Sequence, residues 1–368
     1  MYLHNDAISF VCRNALPSTH TPHNFLLSNM PNFDHTTAST GQVADEAMMM
    51  DTSAVHNHAD SNDRKQPPSD TAQHHEQEAI QPHSMQYHHA PPIYPPISLV
   101  STCEEMNPQR RCSFEDCAVY APANTWDAPD PNMAFLCICD GHGGRQMVEY
   151  LEDGLLFHVS AEMNAPDHDE AREGEGSSGP VSVLQRLERA FLMADIHSKA
   201  LGVTTSGATV AVCLVTRSND NEWTVYAANA GDARVVLCHQ GKAHRMTHDH
   251  RTDDPEEVRR IERSGGFLFK GRVLGVLAVT RSLGDHCMKE YVIATPYTQE
   301  TTIQKDAQDD ESFVILACDG LWDVMSDQEA VDFVLQYKEE KERVARYLVK
   351  EALRKGSTDN ITVSVAWL

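Results

Sequence analysis

The chain has 368 residues, 41% hydrophobic and 23% charged, and its 30 Lys and Arg against 54 Asp and Glu leave a formal net charge of −24. So acidic a surface repels nucleic acid and anionic lipid, and neither is expected as a partner. No stretch approaches the ~18–20 apolar residues of a membrane span, and the N-terminus shows no basic start followed by an apolar run, so neither a membrane segment nor a secretory signal is expected.

Residues 1–95 read as a disordered, His- and Pro-rich N-terminal tail. The first hundred residues hold ten prolines, eleven of the twenty histidines, ten acidic and three basic residues, so they contribute −7 and the remainder −17. Their apolar residues keep no period and cannot assemble a core. His-rich tracts can bind transition metals, but these histidines lack ligand-like spacing, and a solvated tail is the simpler reading.

Residues 96–368 read as one domain. Ala134–Cys139 is an apolar run of buried-strand type, stopped by Asp140-Gly141. A helix follows with Met147, Tyr150, Leu151 and Leu155 on one face, then an exposed acidic loop near 165–180. Leu184, Leu187, Phe191 and Ala194 mark a second amphipathic helix. Strands are expected at Ala208–Val215, Trp223–Ala230 and Ala233–Cys238, with Gly231-Asp232 as a tight hairpin between the last two. Pro255–Arg263 is a short helix ended by Gly265-Gly266, and Phe313–Cys318 another buried strand ending in Asp-Gly. Helices over 327–337 and 341–355 precede a final strand, Ile361–Trp367. Strands in succession with helices in pairs predict an α+β layered domain with mainly antiparallel sheet.

Ten scattered cysteines without a CxxC pair predict reduced thiols, and hence a cytoplasmic or nuclear location. Cys137 and Cys139 should share one face of a strand, too far apart along it to bridge easily.

Asp140, Asp319 and Asp359 each stand at the edge of an apolar strand, where side chains from distant positions can meet in one cleft. Clustered carboxylates repel unless cations sit among them, and all-oxygen ligands favour Mg²⁺ or Mn²⁺ over zinc. The contexts are distinctive: Arg111-Cys112-Ser113-Phe114-Glu115-Asp116, Asp140-Gly141-His142-Gly143-Gly144, Ser206-Gly207-Ala208-Thr209, Asn229-Ala230-Gly231-Asp232-Ala233-Arg234, Thr280-Arg281-Ser282-Leu283-Gly284-Asp285, Cys318-Asp319-Gly320-Leu321-Trp322-Asp323 and Asp359-Asn360-Ile361-Thr362-Val363.

In this order and spacing the set resembles the metal-dependent type 2C (PPM) Ser/Thr protein phosphatases, from about Ile97 to Leu368. The resemblance implies a central sandwich of two antiparallel β-sheets flanked by α-helix pairs. It implies that Asp140 bridges two Mg²⁺ or Mn²⁺ ions, that Asp319 and Asp359 complete one of them, and that Glu115 and the Gly141 carbonyl serve the other. Asp116 would act through a water. Arg111 would clamp the substrate phosphate, with Arg110 facing solvent. Some members hold a weaker third metal, for which Asp232, Asp319 and Asp323 are the matching positions. The implied reaction is in-line attack on a phosphoserine or phosphothreonine by water activated between two cations, with Arg111 stabilising phosphoryl charge and His142 protonating the leaving alkoxide.

Phosphorylated proteins, stress-signalling kinases among them, are the implied substrates of an expected monomer. The alternative is a catalytically silent phosphatase-like binding protein, which should have lost a bridging ligand. Cys139 and Arg145 match the Cys-x5-Arg spacing of cysteine phosphatases, but Asp140 beside the thiol would repel both thiolate and phosphate. Asp285 is expected to bond nearby backbone, Ser206, Gly207 and Thr209 to set strand geometry, Trp322 to lie in the core, and His248, Asp249 and His250 to lead into a flap rather than bind metal. Two departures bear on loop geometry: Asn107-Pro108-Gln109-Arg110 stands where the family commonly has a glycine, and His286-Cys287-Met288 where a Phe often follows.

Overall fold

The computed structural model describes residues 11–14, 95–167, 180–305 and 311–368. The expected disordered tail lies outside these, apart from Val11–Asn14 and Pro95, and so does most of the acidic loop near 165–180. In chain order the described residues form β1 (Val11–Asn14), β2 (Leu99–Glu105), β3 (Asp116–Ala121), β4 (Ala134–His142), α1 (Gln146–Met163), α2 (Val183–Ala200), β5 (Gly207–Asn219), β6 (Glu222–Ala230), β7 (Arg234–His239), β8 (Lys242–Arg245) and α3 (Pro255–Arg263). Then come β9 (Leu268–Phe269), β10 (Arg272–Val273), β11 (Leu283–Gly284), β12 (Tyr297–Gln304), β13 (Phe313–Ala317), α4 (Asp319–Trp322), α5 (Asp327–Gln336), α6 (Val344–Arg354) and β14 (Ile361–Trp367).

Two antiparallel sheets form the centre, ordered β1-β2-β14-β13-β7-β8 and β12-β6-β5-β4-β3, with β11 alongside β5. Strand β1 pairs with β2 at a place where the sequence shows no strand pattern. The layers explain the unbroken apolar runs. In β4, Phe135, Cys137 and Cys139 pack with Leu151, Leu155, Leu187 and Phe191 of α1 and α2, while Leu136 and Ile138 face the other sheet. In β13, Phe313 and Ile315 pack with Val331, Val344 and Leu348 of α5 and α6, while Val314 and Leu316 face the sheet interface. A strand buried on both faces loses the apolar–polar alternation of a half-exposed one. Ser182 and Ser326 start α2 and α5 with capping boxes to Gln185 and Glu329.

Two local expectations are corrected. Residues 231–233 do not turn a hairpin: β6 and β7 belong to different sheets, and this segment crosses between them. Gly231 has φ +104°, and the Asn229 side chain holds the crossing through the Gly231 and His248 carbonyls at 3.0 and 2.6 Å. Tight hairpins instead join β5 to β6, β7 to β8 and β9 to β10. Strand β4 does not stop at Asp140; it runs to His142, with Asp140 opposite both Asp116 and Thr209. After β13, Asp319-Gly320 starts α4.

Candidate active site

The sheet ends bring the acidic residues together. Asp116 opens β3, Asp140 lies in β4, Asp232 in the β6–β7 crossing, Asp319 opens α4, and Asp359 precedes β14. Asp140, Asp232 and Asp319 each offer a carboxylate oxygen within 4.8 Å of the other two. Asp116 is buried; its Oδ2 accepts from the Thr362 hydroxyl at 2.7 Å, and its Oδ1 has no hydrogen-bond partner.

The charges are correspondingly strained. Withdrawal from water, then the charges of Asp116, Asp319 and Asp232, hold the Asp140 carboxyl well above the usual carboxylate range. Asp319 is raised in the same way, by burial and then by Asp232, Asp359 and Asp323. Burial pushes Asp116 up to about 7 against the Thr362 bond, and Asp232 to about 6 against the pull of Arg251. Such groups stabilise the fold only while protonated, so their contribution is lost as pH rises through the folded values. Buried His158 and His250, held by desolvation at about 4 and about 3, oppose this trend at lower pH, and above about 6.5, where the unfolded imidazoles are already half neutral, by less than the four acids favour it. Melts of the chelator-treated protein should therefore show Tm falling from pH 6.5 to 8. A flat or rising Tm in that window would contradict the strain.

Two arginines answer the acids. Arg111 pairs with Asp359 and is half exposed. Arg251 reaches Asp232 at 3.0 Å, Asp323 at 2.7 Å and Asp319 at 3.9 Å. Glu115 stands beside Gly141: its carbonyl accepts from the Gly141 amide at 3.0 Å, and its Oε2 lies 3.4 Å from the Gly144 amide. A Cβ on Gly141 would sit 2.5 Å from Val148 Cγ2 and overlap the Glu115 carbonyl oxygen, so only glycine permits this approach.

His142 Nε2 lies 2.7 Å from Asp285 Oδ2. The Asp285 carboxylate, expected on backbone, instead meets His142 and the Ser282 hydroxyl, and Gly207 makes the room: a Cβ there would be 2.5 Å from Nε2 and overlap the Asp285 carboxylate. Cys139 is fully buried with its Sγ 3.5 Å from that of Cys137, and Arg145 is turned to the Phe114 carbonyl at 2.7 Å, so the Cys-x5-Arg pair makes no phosphate loop. His248 bonds Asp254, Asp249 pairs with Arg234, and His250 bonds the Gly231 carbonyl. Trp322 lies in the core, as expected.

Residues 101–361 match the sequence model of Protein phosphatase 2C. The chain belongs to the protein phosphatase 2C family. It is 38% identical over 275 residues to protein phosphatase 2C homolog 1 of Schizosaccharomyces pombe, covering 73% of this chain and 72% of that one. To protein phosphatase 2C homolog 1 of Saccharomyces cerevisiae it is 36% identical over 283 residues, covering 73% and 93%. A phosphatase from a pathogenic strain of Toxoplasma gondii shares the fold, with a TM-score of 0.60 at 22% identity over 74% of this chain and 93% of that one. The protein is therefore a PP2C-type protein serine/threonine phosphatase, and its substrates are phosphoproteins.

The family is metal-dependent, and the donors here suit a hard cation: carboxylates alone converge, and the unpartnered Asp116 Oδ1 is one more oxygen without a proton to accept. Supporting residues escaped the sequence reading. Asn107 takes φ +56° just ahead of Arg111, a conformation asparagine tolerates in place of glycine, and its amide bonds the Ser357 and Asp359 carbonyls at 3.0 and 3.2 Å. Asn360 accepts from the Glu115 amide at 3.0 Å and donates to the Met106 and Ser113 carbonyls, tying the Glu115 and Asp359 segments together. The Asp359-Asn360 pair was the available signal for Asn360; nothing local marks Arg251.

Proposed function

We propose that this phosphatase hydrolyses phosphoserine and phosphothreonine in the cleft over Asp140, with two Mg²⁺ or Mn²⁺ ions held by Asp140, Asp319, Asp359, Glu115 and the Gly141 carbonyl. The observation that carries this is the convergence of Asp140, Asp232 and Asp319 from three separate elements. When bound, such ions acidify water and neutralise phosphoryl charge. Asp116, buried with one free oxygen, would orient a water beside them. Arg111 stands at the rim, half exposed, where its planar guanidinium can turn from Asp359 to two phosphate oxygens. Asp232, Asp319 and Asp323, the positions for a weaker third cation, are spanned by Arg251.

His142 is the proton donor to the leaving alkoxide. Its Nε2 is engaged by Asp285, so Nδ1 is the nitrogen left for the substrate. Asp285→Asn should lower kcat on a phosphothreonine peptide about tenfold to a hundredfold. It should barely change kcat on p-nitrophenyl phosphate, whose leaving group needs no proton. Equal losses on both substrates would remove His142 from that role.

The narrower expectation of stress-signalling kinases as substrates rests on the family resemblance, as does a cytoplasmic or nuclear location on the thiols. The deciding experiment for the mechanism is phosphate release from a phosphothreonine peptide with graded Mg²⁺ or Mn²⁺ and with chelator. Release that stops with chelator and returns with either ion is expected; release that survives chelation would sink the metal reading.

A further inference from the structure

A cluster of two imidazoles and a phenol lies on the outer helix pair, apart from the acidic site. Tyr150 and His158 of α1 meet His197 of α2. The Tyr150 hydroxyl is 2.7 Å from His158 Nε2 and 3.3 Å from His197 Nδ1, and the two nitrogens are 3.3 Å apart. His158 is only 7% exposed, while Tyr150 and His197 are half-buried. His158 is twelve residues beyond Gln146, about 18 Å along the helix from the end that adjoins the cleft.

Hydrogen bonds account for two sides of this triangle and leave the third as a bare nitrogen–nitrogen contact. A neutral imidazole nitrogen either carries a proton or offers a lone pair, never both. If the phenol donates to His158 Nε2, that nitrogen has nothing to donate, and only the His197 Nδ1–H is left for the other two contacts. At most two protons serve three close contacts. A cation would take a lone pair from each of the three atoms, with the Tyr150–His158 side opening from its hydrogen-bond length of 2.7 Å. Zinc–nitrogen bonds of about 2.0–2.1 Å at tetrahedral angles separate two ligand atoms by about 3.3–3.4 Å, which is the spacing of the two imidazole nitrogens here.

We propose that Tyr150, His158 and His197 form a second metal site, for a borderline transition cation such as Zn²⁺, with the fourth position open to water. Two imidazoles select against Mg²⁺ and Mn²⁺, which take oxygen ligands, so this site and the acidic cleft discriminate between cations. The affinity comes from the histidines; burial holds the Tyr150 phenol above its usual range, so the hydroxyl is the weakest donor of the three. Burial, then His197, keeps His158 free of a proton at neutral pH, its value held at about 4. Bound metal would fasten α1 to α2, the layer that covers β3, β4 and β5.

The test uses the full chain and Co²⁺, whose visible absorption is intense in four-coordinate nitrogen sites and faint in octahedral oxygen sites. The histidines of residues 1–100 can also take up Co²⁺, so the readout is the difference between wild type and His197→Ala, a partly exposed position expected to fold. His158→Gln is the second variant. Wild type should show one more equivalent of four-coordinate Co²⁺ than either variant, displaced by Zn²⁺, and Zn²⁺ should raise the Tm of wild type beyond that of the variants. Peptide phosphatase activity of His197→Ala with Mg²⁺ should equal wild type, because the site is remote from the cleft. Identical Co²⁺ spectra and stoichiometry in wild type and His197→Ala would overturn the proposal and assign the binding to the N-terminal histidines.

Discussion

Asp140→Asn should abolish phosphatase activity and make the metal-free protein more stable. Asp140 is the carboxylate that Asp116, Asp319, Asp232 and Asp359 all act upon. Asparagine keeps the shape but has no charge and only one acceptor oxygen, so it would hold a cation far more weakly. A loss of at least about a thousandfold in kcat is expected, roughly 4 kcal/mol of transition-state stabilisation. In chelator the same change removes one charge from a crowded set, so Tm should rise, by about 2–4 °C for each kcal/mol relieved. Added Mg²⁺ or Mn²⁺ should then stabilise the variant far less than the wild type. Activity lost together with a lower metal-free Tm would mean that Asp140 holds the fold rather than the cations. This opposition of activity and stability is what a site assembled from mutually repelling groups should show.

Gly320→Ala should destabilise the fold despite a favourable helix propensity. Gly320 is the second residue of α4, with no positive φ, so a free helix would gain about 0.5–1 kcal/mol from the change. Here the added Cβ would overlap the Asn360 carbonyl oxygen and lie 3.0 Å from its carbon and 3.2 Å from Ile361 Cα. These are backbone atoms of a buried strand entry, which no rotamer change can move aside. A loss of about 3 kcal/mol is expected, a fall in Tm of roughly 6–12 °C for a domain of this size. Because Asp319 precedes Gly320 and Asp359 precedes Asn360, pushing the two segments apart should also weaken Mn²⁺ binding. A Tm within 2 °C of wild type, on this order-of-magnitude scale, would show that the α4–β14 contact yields easily.

Much of the site was legible because its residues lie in short, contiguous signatures. Asp140, Asp319 and Asp359 stood out as acids at strand edges, and the structure brings Asp140 and Asp319 together with Asp232. His142 stood out by its neighbours, but its partner Asp285 is 143 positions away and met it only through folding. Arg251 is a further example: its three carboxylates come from two other segments, the β6–β7 crossing and α4, and no spacing in the chain announces that contact. The His158–His197 triangle was hidden in the same way, since the two residues fall on separate helices whose apolar faces gave no sign of what else they aligned.

The sequence by itself determined the α+β class, the strands β4–β7, β13 and β14, the helices other than α4, and the family. Burial on one face or both writes a period into the chain, and helix boundaries such as Pro255–Arg263 follow from local capping chemistry. Only the tertiary structure decided where each strand went. Glycine and aspartate at 231–232 suit a tight hairpin, yet the chain crosses there from one sheet to the other. A turn's composition reports the backbone conformation it must adopt, not the sheet its far end joins. That choice is made by the pairing of β7 with β13, whose inner face packs against the other sheet. The same crossing places Asp232 beside Asp140 and Asp319, so the metal-binding geometry is a product of sheet order, which no local pattern encodes.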